Sequence, residues 1–91
     1  KSVSARHKAV QGYKRINSRA LESMKPGSLL FTFSCSQVVD SKLFYNTIMA
    51  AAIQTGRKVR VLHQVTQPAD HPINIYHAES HYLKGLVLQI I

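Results

Sequence analysis

Apolar residues recur at three- and four-residue spacings from about Ser4 to Met24, where Val10, Tyr13, Asn17, Leu21 and Met24, flanked by Ile16 and Ala20, make one helix face. Lys25-Pro26-Gly27 ends that helix, because proline cannot continue it and glycine accepts a left-handed turn. The pattern then changes. Ser28 to Ser34 is nearly continuous in apolar residues (Leu29, Leu30, Phe31, Phe33), which predicts a strand covered on both faces. Asp40 is a good N-cap for a second helix whose apolar positions Leu43, Phe44, Ile48, Ala51 and Ala52 mark one face, and Gly56 closes it. Lys58 to Val65 alternates, with Val59, Val61 and Val65 expected on one side, and reads as a second strand. A loop is expected over Thr66 to Ser80, with Pro68, Pro72 and histidines, and Lys84 to Ile91 reads as a third strand.

Helix, strand, helix, strand, loop, strand is part of an α/β layered domain. The first strand needs neighbours on both edges, and only two other strands are present. The missing neighbour is expected from upstream sequence or from a second copy pairing along the open edge, a homodimer. The chain begins at Lys1 and not at methionine, which suggests a piece of something longer.

At 91 residues there is room for one small domain, which buries only about 60 to 65% of its unfolded surface. The 45% hydrophobic content supports a core and excludes disorder. No apolar run reaches the roughly 18 residues of a membrane span, and no signal-peptide pattern opens the chain, so a soluble, cytoplasmic protein is expected with no membrane partner. One cysteine, Cys35, cannot form an internal disulfide.

Charge sharpens the picture. Twelve Lys and Arg stand against four Asp and Glu, a formal +8, and up to Lys25 seven cations face the single acid Glu22. Such density favours polyanions through phosphate neutralisation, with Arg6, Lys8, Lys14 and Arg15 as candidate contacts to a phosphate backbone, which the resemblance drawn below would make that of RNA; a solvated helix face is the plainer alternative. His77 and His81 are four apart, but HAESH is not HExxH and a single cysteine excludes a zinc knuckle, so no metal is expected.

Four segments carry a resemblance: GYKRIN (Gly12 to Asn17), KPGSLLFTFSCS (Lys25 to Ser36), QPADHP (Gln67 to Pro72) and YLKG (Tyr82 to Gly85). Together they resemble the C-terminal part of the class I S-adenosylmethionine-dependent ribosomal RNA cytosine-C5 methyltransferases of the large-subunit methyltransferase I type, which carry an N-terminal PUA domain. The KPG turn before an apolar strand is common to many methyltransferases; SCS, DHP and YLKG in combination are much more specific. The resemblance implies the C-terminal half of a Rossmann-like class I methyltransferase sheet, with residues 1–91 as a subdomain and the last strand antiparallel, inserted between the other two. It implies methyl transfer to C5 of a cytosine in 23S ribosomal RNA, with Cys35 as the nucleophile.

The chemistry requires such a group, because C5 of cytosine takes a methyl group only after a thiolate has added at C6. Without the resemblance, a lone cysteine at a strand end reads as a core residue, since free cysteine is among the most buried types. Ser34 and Ser36 are small neighbours that would let a base approach. Asp70 and His71 match the family's loop on the substrate side, although Asp70 also fits a simple turn cap. The glycine-rich cofactor loop is missing, for none of Gly12, Gly27, Gly56 and Gly85 is two residues from another. The chain alone is therefore expected to hold S-adenosylmethionine weakly or not at all and to be inactive. A non-catalytic α/β module that binds RNA or dimerises is the other class to be tested.

Overall fold

The computed structural model describes residues 2–68 and 82–91. Five elements follow one another: α1 (Ser2–Ser23), β1 (Leu29–Ser34), α2 (Ser41–Thr55), β2 (Val59–Pro68) and β3 (Tyr82–Ile90). The sheet order is β1-β3-β2, and β3 runs antiparallel to both neighbours. β1 and β2 are therefore parallel to each other and not bonded to each other, with the last strand inserted between them as the resemblance implies.

The helix boundaries follow local chemistry. Gly27, at φ 89°, turns the chain after α1, and its N–H donates to the Ile90 carbonyl at 2.6 Å, tying the turn to β3. Arg57 donates from Nη1 to the Leu21 carbonyl at 2.6 Å, satisfying an acceptor in the last turn of α1 and placing a cation at its negative end. Asp40 accepts from the Leu43 N–H at 2.8 Å at the start of α2. Gly56, at φ 72°, closes that helix by donating to Ile53 and Ala52 carbonyls.

Both helices lie on one face of the sheet. Phe44, Ile48 and Val39 pack with Leu86 and Leu88 of β3, and Ala51, Ala52 and Leu21 gather around Ile90. The Tyr13 ring meets Phe44 edge-on, centroids 5.6 Å apart. Asn17 is buried on the same stripe of α1 and donates to the Tyr13 carbonyl at 2.8 Å. Ile16 does not belong to that stripe and is 66% exposed.

Three other expectations change. β1 is covered on one face only: Leu30, Thr32 and Ser34 turn toward the helices, while Leu29, Phe31 and Phe33 are exposed, Phe31 at 61%. Its polar residues thus face the helices and its largest apolar ones face out, because both helices of the chain pack on the same side. Its outer edge has no strand partner among the described residues. Secondly, β2 continues through Thr66, Gln67 and Pro68, because β3 begins at Tyr82 and extends the ladder with Thr66 opposite Lys84 and Pro68 opposite Tyr82. Proline is tolerated there because β2 is an edge strand. Thirdly, a register shift between Val61 and His63 places Val65 opposite Gly85, on the face away from the helices, whereas Val59 and Val61 stay on the helix side. The remainder of the expected loop, including Asp70 and His71, lies outside the described residues.

Gly85 of β3 is required by close approach. It pairs with Phe33, whose ring lies over it where any side chain would collide.

Candidate functional site

β1 delivers Ser34, Cys35 and Ser36 to the carboxyl end of the strand, and the side chains of the two serines fold the backbone there. Ser34 Oγ accepts from the Ser36 N–H at 3.0 Å, and Ser36 Oγ accepts from the Val38 N–H at 3.3 Å. Short hydroxyl side chains that bond two residues ahead make tight turns without a regular ladder. Ser34 is buried and its hydroxyl also bonds the Tyr13 hydroxyl at 2.5 Å, so α1 holds the end of β1 from the helix side. Cys35, between the two serines, is an exposed free thiol. It is not the core cysteine that a lone strand-end residue suggests.

Lys84 completes the arrangement from the neighbouring strand. It stands opposite Ser34 in the ladder, is only 5% exposed, and donates from Nζ to the Ser36 carbonyl at 2.6 Å. Burial lowers its pKa below the ordinary lysine value, and the negative charge that Cys35 and Asp40 can carry partly offsets that shift. The turn bearing Cys35 is thus held by a hydroxyl from α1 and an ammonium from β3. That gives the exposed sulfur a rigid platform with a buried cation beneath the same turn.

The depressed pKa makes a stability prediction. Below its folded-state pKa, Lys84 carries its charge in both states and the desolvation cost is fully present; as pH rises from that value toward 10.5 the unfolded chain binds more protons, so stability rises. Urea titrations at pH 7 and pH 10 are expected to show this gain in the wild-type chain and to lose it in Lys84→Met. An equal gain in the variant would assign it to another group.

The candidate RNA contacts all lie on α1. Arg6, Lys8 and Arg15 are exposed and Lys14 is half-buried. Lys14 and Arg15 border an open groove of about 480 Å³ whose far wall includes Gln54 of α2; Arg6 and Lys8 belong to the helix's first turns. The sequence pattern does not single out Lys84, which sits inside the YLKG segment, and it places Tyr13 on the packed helix face, where the ring does pack and the hydroxyl also bonds Ser34. The signal for Lys84 is a lysine at an inward position of a strand whose other inward residues, Leu86, Leu88 and Ile90, are apolar. Among the described residues no group of three or more His, Cys, Asp or Glu gathers to hold a metal ion. Among them, too, no helix is long and apolar enough to cross a membrane.

No family model matches the chain. Individual proteins do. A protein of Pseudoalteromonas atlantica is 38% identical over 90 residues, which are 99% of this chain and 23% of that protein. Others from Tolumonas auensis and Vibrio vulnificus are 45% and 41% identical over 83 residues, 91% of this chain and 21% of each. These relatives are named ribosomal RNA large subunit methyltransferase I. The chain is homologous to those methyltransferases almost from end to end and spans about a fifth to a quarter of their length. The name agrees with the resemblance carried by SCS and YLKG at the level of an enzyme that methylates ribosomal RNA of the large subunit.

Proposed function

We propose that residues 1–91 are a C-terminal subdomain of the catalytic domain of an S-adenosylmethionine-dependent, cytoplasmic enzyme that methylates C5 of a cytosine in 23S ribosomal RNA, with a PUA domain elsewhere in the full-length protein. The observation that carries this reading is the exposed Cys35 thiol on a turn clamped by Tyr13 and Lys84 at the carboxyl end of β1. In α/β sheets that end of the parallel strands is where ligands bind.

The residues present do not fit the methyl donor. Gly12 lies within α1, Gly27 and Gly56 close helices, and Gly85 lies beneath Phe33. None forms a glycine-rich strand-to-helix loop, so the donor's site is assigned to the rest of the full-length protein, and this chain alone is expected to be inactive. What this chain contributes is the nucleophile. The Cys35 thiolate forms an S–C6 bond as the C5–C6 double bond opens, which leaves C5 electron-rich and ready for methylation. When a base then removes the C5 proton, the electron pair restores the double bond and expels the thiolate. Ser34 and Ser36 hold the turn, and Asp70 and His71, outside the described residues, remain candidates for the substrate side.

Replacing the target cytosine with 5-fluorocytosine tests this directly, because fluorine at C5 leaves no proton to remove and the cycle stops at the adduct. With S-adenosylmethionine present, the full-length protein is expected to gain the mass of the RNA at Cys35. A specific observation favours a second reading: the apolar face and the edge of β1, uncovered among the described residues, suit a non-catalytic RNA-binding or dimerising module. RNA binding without any adduct would favour it.

A further inference from the structure

α1 has a second stripe, turned away from the sheet. Lys14, Arg15 and Arg19 rise along the helix, with Gln11 before them, and face Gln54 of α2 across the open groove. One carboxylate, Glu22, lies at the C-terminal end of the groove, so cations outnumber acids there three to one. Among the described residues, none of these three cations is paired with a carboxylate or bonded to a carbonyl. An uncompensated cluster of this kind is destabilised by self-repulsion unless an anion occupies it.

The groove also holds a hydroxyl with unspent capacity. Ser23, Thr47 and Thr55 each bond back to a carbonyl three or four residues earlier in their helices, as hydroxyls in helix interiors commonly do. Ser18 does not: its Oγ is buried without a hydrogen-bond partner, directly among the cations. A buried polar atom left unsatisfied calls for an explanation, and an anion that draws the covering side chains aside supplies one. Arg15 and Arg19 are separated by about 6 Å of helix rise, the order of one step between successive phosphates on a strand.

We propose that the groove between α1 and α2, with Lys14, Arg15 and Arg19 as its cations and Ser18 and Gln54 as neutral donors, is a phosphate cradle for the backbone of the RNA substrate. It is separate from the Cys35 turn yet joined to it by α1, since Tyr13, next to Lys14, bonds Ser34. The cradle contacts phosphates and not base edges, so it positions RNA without reading its sequence. The proposal rests on RNA being the substrate but not on Cys35 being the nucleophile.

Fluorescence anisotropy of a labelled single-stranded RNA titrated with the 91-residue chain tests it, with circular dichroism confirming that each variant is folded. The triple variant Lys14→Gln, Arg15→Gln, Arg19→Gln is expected to weaken binding at least tenfold and to flatten the slope of log affinity against log salt by about 2, since each lost phosphate contact on a single strand removes about 0.7. Lys25→Gln, Lys42→Gln, Lys58→Gln removes the same net charge elsewhere and is expected to change affinity less than threefold. Equal losses in the two variants would overturn the cradle and leave only diffuse attraction. Inorganic phosphate competing as well as RNA, at equal phosphate concentration, would overturn the polymer backbone as the ligand. Repeating the titration with Cys35→Ala separates the claims: unchanged binding there, without a fluorocytosine adduct in the full-length wild type, removes the catalytic reading and leaves the cradle standing.

Discussion

Cys35→Ala in the full-length protein is expected to abolish methylation of the target cytosine while leaving the fold intact, and Cys35→Ser to do the same. Two structural facts separate the effects. Cys35 is exposed, so truncating it opens no cavity, and substitutions away from core, cap or network usually stay within about 0.5 kcal/mol. The bonds that shape its turn come from Ser34, Ser36, Tyr13 and Lys84, none of which uses the sulfur. A methyl-incorporation assay with labelled donor, beside a urea unfolding curve, reads both quantities. Near-normal turnover by either variant would remove the nucleophile from the proposal, whatever the unfolding curve showed.

The largest effect on stability is expected at Phe44. Its ring is 1% exposed and joins Val39, Ile48, Leu86 and Leu88, linking α2 to the central strand, with Tyr13 packed edge-on from α1. Phe44→Ala should cost about 3 to 5 kcal/mol, the range for removing a buried aromatic ring. A domain of this size has on the order of 5 to 15 kcal/mol in total, so the variant keeps little margin. The urea midpoint should fall by roughly 2 M, given a slope near 2 kcal/mol per molar. A fall under 0.5 M would mean that the core is not organised around this ring. The loss should also reach the site, because the same Tyr13 that abuts Phe44 holds Ser34 through its hydroxyl.

The elements of the fold were legible where one face of a segment is buried inside this chain. The α1 stripe through Val10, Tyr13, Asn17 and Leu21, the Asp40 cap and the Gly56 stop all announce themselves locally, through period, side-chain chemistry and backbone freedom. β1 was legible as a strand but not in its covering: Leu29, Phe31 and Phe33 signal a buried face, yet nothing among the described residues lies against it. The register shift after Val61 was hidden, since one extra residue reverses the facing of those that follow and alternation alone does not reveal it. The length of β2 was misjudged because Pro68 reads as a breaker until an edge position excuses it. Of the site, the SCS segment marked Cys35 by resemblance, and its exposure is a property of the turn that only the three-dimensional arrangement shows. Lys84 escaped notice because its role depends on a partner 48 positions away, at the Ser36 carbonyl.

The strand order governs when the domain can form. Among the described residues β1 and β2 are hydrogen-bonded only to β3, the last element of the five, so during synthesis neither of these two ladders can begin to close until Tyr82 and the residues after it have left the ribosome. α1 and α2 are complete by then and can pair as a helical hairpin, whereas every sheet contact waits on closures of long sequence separation, which slow folding. At about 5 to 20 residues per second of elongation, LLFTF in β1 is exposed for several seconds before its partner arrives, an interval in which such apolar segments are prone to clump. A nascent chain stalled or cut before Tyr82 would therefore have both helices and neither of these ladders, and would depend on chaperones to stay dispersed.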